Sequence, residues 1–154
     1  MGSGLRFTKT THGARKLIYP GYMFTRHKEV AEGERWRCDQ RNQFKCSGAV
    51  VLDENDRVVR AEDHNHAADW GRCKARECVV QLKETAATSR ASTSAIVQSG
   101  IARVSSETAV KLPKAASLRK AVRRVKRQHL PPEPKSFADL REIPDALKRS
   151  LKGK

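Results

Sequence analysis

Two thiols and two imidazoles carry the most specific chemistry in this sequence. Cys38 is followed after seven residues by Cys46, and after a further seventeen by His64-Asn-His66. Thiolate sulfur and imidazole nitrogen are soft-to-borderline donors. Four of them close a tetrahedron around Zn2+, with bonds of about 2.3 Å to sulfur and about 2.0–2.1 Å to nitrogen. Four protein ligands leave no position for water, so such a site is structural rather than catalytic. His64 and His66 are i and i+2, which share one face of an extended backbone. The spacing departs from helix-bearing fingers, whose cysteine pairs are about two to four apart and histidine pairs about three to five apart. No amphipathic helix lies between Cys46 and His64, so a β-rich surround is expected. The competing reading makes Cys38 and Cys46 buried core thiols and the histidines surface residues. The coincidence of Trp36-Arg-Cys38, a second cysteine and His-x-His in a thinly cored region favours the metal.

The elements that must position these ligands are short strands. Lys16–Tyr19 is apolar and Pro20-Gly21 turns the chain. Tyr22–Lys28 follows with Tyr22 and Phe24 on one face by period-two alternation. Ala31-Glu-Gly33 reads as a hairpin connection, and Glu34–Cys38 sets Trp36 and Cys38 on a shared face. Asp39–Lys45 forms a loop into Cys46, which shares a face with Gly48, Val50 and Leu52. Asp53–Asp56 turns the chain into Arg57–Arg60, the last strand of an antiparallel meander. Beyond residue 70 the period changes to that of helices. Ala75, Cys78, Val79, Leu82 and Ala86 stripe residues 71–88. Ser92 or Thr93 caps a second helix to about Arg103, weakened by Gly100. Pro113 suits the first turn of a third helix, to about Gln128, with Leu118, Val122 and Val125 on its apolar side. Pro131-Pro-Glu-Pro134 ends it, and short turns are expected at Phe137–Arg141 and Pro144–Leu151. Segment 84–94 is small and polar enough to be a flexible connection. The fold class is therefore α+β, with four stretches: residues 1–6 an unstructured start or cloning remnant, 7–68 a zinc finger, 69–130 a basic helical region, and 131–154 a Pro-containing basic tail.

Composition supports a small domain with an extension. Of the 154 residues, 38% are hydrophobic and 5% aromatic, thin for one core of this size. Small domains with thin cores often recruit a metal or disulfides. No apolar leader precedes the cysteines, and Gly2 is a poor acylation site because Arg6 stands where Ser or Thr is wanted. No run of about 18 apolar residues exists to span a membrane. Reduced, intracellular thiols are expected, and clustered Cys and His then read as metal ligands. Cys73 and Cys78 are five apart on a helix, point to different faces and read as plain helix residues. The net charge of +15 is uneven: residues 1–70 carry 12 Lys/Arg against 10 Asp/Glu, and residues 71–154 carry 20 against 7. A chain this basic suits a polyanion, usually nucleic acid.

Residues 7–66 resemble a FLYWCH-type zinc finger. The letters occur in order as Phe7, Leu17, Tyr22, Trp36, Cys38 and Cys46, then His64 and His66. Gly13-Ala-Arg-Lys-Leu-Ile-Tyr-Pro-Gly-Tyr22 is similar to that family's opening. The resemblance covers about 60 residues and extends to plant WRKY domains, which implies a four- or five-stranded antiparallel sheet with zinc near one end. It implies sequence-specific DNA binding and protein–protein contacts. Residues 70–145 resemble, less specifically, the basic helical stretch that follows this finger in proteins related to Mutator-like transposases. That implies a transposon-derived regulator. The catalytic acidic triad of such enzymes would lie beyond this chain, which suits a fragment or a domesticated remnant.

By analogy with WRKY domains, an exposed early strand enters the major groove. The corresponding stretch is about Arg15–Lys28, where Arg15, Lys16, Arg26 and Lys28 reach phosphates or guanine edges and Tyr19 and Tyr22 reach sugar or a thymine methyl. The WRKY heptad itself is absent, so no base preference transfers. The third helix offers Arg119, Lys120, Arg123, Arg124, Lys126 and Arg127 for salt-dependent backbone contact or as a nuclear localisation signal. With the preceding helices it could also form a helix-turn-helix-like unit. The expected partner is double-stranded DNA, with chromatin or regulatory proteins as a further class and RNA as an open alternative. Neither membrane nor small-molecule substrate is expected, and the expected compartment is the nucleus. The second reading is a zinc-stabilised protein-interaction module with a basic nuclear-targeting tail. An enzyme is not expected: no Gly-rich phosphate loop, HExxH or nucleophile motif occurs, and His27-Lys-Glu29 lacks the Pro-Cys-x-x-Cys partner of deaminases.

Overall fold

The structure, a computed structural model, describes residues 4–129. Its architecture is α+β: a six-stranded antiparallel meander followed by helices. The strands are β1 (Arg6–Lys9), β2 (Arg15–Ile18), β3 (Met23–Val30), β4 (Gly33–Cys38), β5 (Ala49–Leu52) and β6 (Val58–Glu62), each paired to the next. The resemblance implied four or five strands; β1 is an addition, paired Phe7 to Leu17 and Lys9 to Arg15. The expected loop between the cysteines contains a one-turn helix, α1 (Arg41–Phe44), and the helices that follow the sheet are α2 (Trp70–Thr88), α3 (Thr93–Ala102), α4 (Ser106–Lys111) and α5 (Ala115–His129). The expected turns at 137–141 and 144–151 lie outside the described residues.

Turn chemistry sets the meander. Tyr19 N–H donates to Tyr22 O at 3.0 Å across Pro20-Gly21, and Gly21 has φ +78°. Pro at the second position and a positive-φ Gly at the third are what a type II turn requires. The β5–β6 turn is held by the Asp53 carboxylate, which accepts from Asn55 N–H at 2.8 Å and Arg57 N–H at 2.9 Å. The sheet buries one face as a core of Leu17, Phe24, Trp36, Val50 and Leu52, bordered by Leu5, Phe7, Tyr19, Tyr22 and Val58. Adjacent residues point to opposite faces. Ile18 and Met23 therefore lie on the reverse face, where they meet Cys73 of α2. That explains why Lys16–Ile18 is buried throughout rather than alternately. Burial pushes the Cys73 thiol up to about 11 and moves Cys78 in the same direction, which disfavours the thiolate at both.

The chain divides into two compact units, and the boundary falls inside α2. The first comprises residues up to 80 with 104–112; among described residues the second comprises 81–103 with 113–129. In the first, the start of α2 is tied to the sheet: Asp69 N–H donates to Gly21 O at 2.9 Å, and Arg6 pairs with Glu77 at 3.1 Å. The short helix α4, absent from the periodicity reading, is capped by Ser105 Oγ accepting from Thr108 N–H at 3.3 Å. In the second unit α3 packs with α5. Ser92, not Thr93, caps α3, its Oγ accepting from Ala95 N–H at 3.1 Å. Gly100 is a close-approach residue: a Cβ there would lie 2.4 Å from Leu82 Cδ2. The third expected helix starts at Ala115 rather than Pro113, and buries Leu118 and Val122 as its stripe predicts.

Candidate metal centre

The strand ends bring the four ligands together. Cys38 closes β4, Cys46 follows α1, and His64 and His66 follow β6. Their ligand atoms all lie within 4.8 Å of one another, with Cys38 Sγ 3.3 Å from His66 Nε2 and Cys46 Sγ 3.3 Å from His64 Nδ1. Tetrahedral zinc with ordinary bond lengths sets sulfur and nitrogen ligands roughly 3.6 Å apart, so two thiols and two imidazoles at these separations fit the ion. They would hold it through Sγ of both cysteines, Nδ1 of His64 and Nε2 of His66. The ion would supply a cross-link between three otherwise separate strand ends.

The backbone prepares each ligand. Lys45 ends α1 in the left-handed region, at φ 50°, and turns the chain back so that Cys46 N–H donates to Arg41 O at 3.1 Å. Cys38 N–H donates to Gly48 O at 2.9 Å, and Gly48 N–H donates to Cys46 Sγ at 3.3 Å. Position 48 must be glycine, since a Cβ would stand 2.5 Å from the His64 ring. His66 Nδ1 lies 3.1 Å from Ala67 O, which selects the tautomer with Nε2 free for metal. Tyr22 stacks on His64 with centroids 3.7 Å apart and planes at 4°, and its hydroxyl donates to His66 O at 2.9 Å. Phe44 stacks on His66 at 4.8 Å, and Asn65 Nδ2 donates to Phe44 O at 2.8 Å, so α1 is fastened to the His-x-His segment.

The electrostatics suit a metal that displaces protons. Burial above all, with the neighbouring Cys46, pushes the Cys38 thiol up to about 11, although a backbone hydrogen bond from Gln40 opposes the rise. Without a cation this thiol stays protonated at neutral pH; a divalent ion releases the proton as it binds. Burial and the adjacent His66 hold His64 below its ordinary value, against Asp63, so its ring is neutral and ligand-competent.

The residues expected on the DNA-facing strands occupy varied environments. Lys16 is buried with its Nζ 2.6 Å from Asp39 Oδ2. Asp39 also receives both guanidinium nitrogens of Arg72, at 3.0 and 2.9 Å. Burial alone would raise the Asp39 carboxyl, but those two cations hold it below the usual range. Lys16 thus ties β2 and α2 to the residue after Cys38. Arg15 pairs with Asp56 at 3.2 Å and lies over the Phe7 ring at 3.9 Å. Arg26 pairs with Glu29 and Glu34 at 2.9 and 2.7 Å. Tyr19 borders the core, Tyr22 serves the metal site, and Lys28 is exposed without an ion pair among the described residues. On α5, Lys120, Arg123, Arg124 and Arg127 are exposed and line one hollow with Ser117, while Arg119 is half-buried. Lys126 is turned inward, its Nζ donating to Ser89 O and Ala91 O. The supporting roles of Gly48, Phe44 and Asn65 were not read from sequence. For Tyr22 a signal existed, because it shares the face of Phe24, and Phe24 pairs with Cys38.

A family model described as the FLYWCH zinc finger domain matches residues 7–66, a span that includes all four ligands. No curated protein matches the chain.

Proposed function

We propose that this chain is a zinc-dependent DNA-binding protein in which the finger supplies sequence preference and the basic helical region adds phosphate contacts. The observation that carries the reading is the outward face of α5: Lys120, Arg123, Arg124 and Arg127 are exposed and have no ion pair among the described residues. Unneutralised cations repeating along a helix match a polyphosphate track, and each phosphate contact steepens the salt dependence of binding. The metal's part is structural, since four protein ligands complete its shell. Nuclear localisation and descent from a transposon-related protein go with this reading through the resemblance of the finger and its basic extension.

The test is fluorescence anisotropy of the zinc-loaded full chain on random and selected duplexes across a salt series, with and without chelator. Selective binding lost on zinc removal supports the reading; no binding to any duplex at low salt rejects it. One observation favours the second reading, a protein-interaction module: Arg15, Lys16, Arg26, Arg35 and Arg60 of the sheet are each paired with a carboxylate. Zinc-dependent capture of a protein partner with no duplex affinity would select it.

A further inference from the structure

The finger's small net charge hides a separation of charge. Glu29, Glu32, Glu34, Asp53, Glu54 and Asp56 gather around the β3–β4 and β5–β6 turns and line one hollow with Arg15; they outnumber the cations paired to them there, Arg15, Arg26 and Arg60. Cations without a carboxylate partner gather elsewhere in the finger. Pairing of Lys28 with Arg35, and of Thr25 with Arg37, places Lys28, Arg35 and Arg37 on the face opposite Trp36, beyond the end where Ile18 and Met23 meet α2; Lys28 is exposed and Arg37 half-buried. His27 is the extra residue of the bulge between Arg26 and Lys28 and is exposed beside them. Bulges commonly re-aim a side chain in this way. Arg41 opens α1 in the loop that carries the chain from Cys38 to Cys46. Arg35 is engaged, reaching across β5 to Glu62 at 2.8 Å. Lys28, Arg37 and Arg41 meet no carboxylate among the described residues.

We propose that the finger grips the phosphate backbone of duplex DNA through this outer face, with Arg37 and Arg41 as the principal contacts and Lys28 and His27 beside them. The inference rests on the DNA-binding reading above and moves its principal contacts to β4 and α1, keeping Lys28 of β3 while Arg15, Lys16 and Arg26 are already engaged. Like charges held together without counter-charges are strained in the free protein, and a polyanion relieves that strain. The crowding is visible in His27, which loss of hydration and then Arg37, Lys28, Arg35 and Arg41 hold below its ordinary pKa. Arginine forks suit phosphate oxygens bidentately. The hollow's excess of carboxylates disfavours the same backbone on that side of the finger. Arg41 sits on the segment that ends in Cys46, so metal binding fixes its position and makes the grip zinc-dependent.

The experiment uses the zinc-loaded full chain, a 20-base-pair random duplex as an arbitrary probe of about two helical turns, and a salt series. Arg37→Ala with Arg41→Ala is expected to weaken binding by about tenfold and to lower the slope of log K against log salt by about 2, since each lost phosphate contact removes about 0.9. Arg37→Lys with Arg41→Lys keeps the charge and should keep most of the slope. Arg15→Ala with Arg26→Ala should leave both quantities near the parent's. Zinc content and the Co2+ absorption spectrum verify each fold; if the double variant loses metal, Arg41→Ala alone should still lower the slope by about 1. A parent that binds while the Arg37/Arg41 variants bind equally well overturns this surface and leaves the DNA reading standing. A parent that binds no duplex overturns both, and preference for single-stranded RNA of equal length overturns the duplex assignment.

Discussion

The sheet of the finger and the helix α5 are both rich in Lys and Arg, yet they spend those charges differently. In the sheet, Arg15, Lys16, Arg26, Arg35 and Arg60 are each held by a carboxylate on another strand or turn, and Lys16–Asp39–Arg72 is one of the ties that fix α2 to the meander, whereas Lys28 and Arg37 meet no carboxylate among the described residues. On α5, four cations face solvent, Arg119 is half-buried and Lys126 is turned inward to backbone carbonyls. A basic sequence is therefore not the same as an available basic surface. The finger spends most of its charges on internal pairs and sets four ligands to hold a metal; α5 buries its apolar stripe and leaves most of its charges in solvent.

The largest way to break this contrast is to remove the metal. Structural zinc contributes on the order of 10 kcal/mol of apparent binding free energy in small fingers. Cys46→Ala, or chelation of the wild type, is expected to abolish the cooperative unfolding of the sheet as followed by fluorescence of the buried Trp36. Helical circular dichroism should largely persist. Simultaneous collapse of both signals would show that the helices depend on the metal and would end the contrast.

Next is the buried ion pair. Asp39→Ala leaves the Lys16 ammonium, whose side chain is 7% exposed, without its carboxylate. Stranding one partner of a buried pair costs about 3–5 kcal/mol. Urea unfolding of zinc-saturated protein should show a loss of this size. A loss near zero would mean that Lys16 leaves its pocket readily, returning it to the surface residues that the sequence suggested.

A smaller effect tests the other unit without touching a charge. Gly100→Ala replaces a weak helix residue with the best one, a local gain of about 1 kcal/mol. The added methyl, however, enters the space of Leu82, with Cδ2 at 2.4 Å. Overpacking costs about 1–3 kcal/mol, so the thermal midpoint should fall. Gly100→Ala combined with Leu82→Ala should recover part of the loss; a rise in the single variant would show that Leu82 simply rotates away.

How much of this was legible in the sequence follows the range of each interaction. Cys38, Cys46, His64 and His66 stood out because few functions use those types at such spacing. The strands from Lys16 to Arg60 and the stripe Leu118–Val122–Val125 were visible because period two and period 3.6 are local signals. The resemblance places Lys16 and Tyr22 among the DNA contacts because nothing local in the sequence reveals that Asp39 lies against one and the His64 ring against the other. Those contacts cross 23 and 42 residues of chain. Gly100 read as a helix weakness because Leu82 is on another helix. α4 escaped because six residues are too few to show a period, although Ser105 as N-cap with Glu107 in the first turn is a fair start signal.

The finest test concerns how the helical extension begins. Asp69 accepts from Arg72 N–H at 2.9 Å and from Lys111 Nζ at 3.1 Å. The Arg72 backbone donor, then Lys111, hold its carboxyl below the ordinary value despite some burial. Loss of such a cap costs about 1 kcal/mol, the expected deficit of Asp69→Ala in chemical unfolding. A carboxyl whose folded pKa is depressed stabilises fully above its unfolded value of about 3.9, and that contribution fades only as pH falls through the folded value. The deficit should accordingly be equal at pH 7 and pH 5, both measured with saturating zinc. A deficit that shrinks across this interval would mean that Asp69 takes up a proton well above the depressed range, and that the cap with its Lys111 partner is not formed as described.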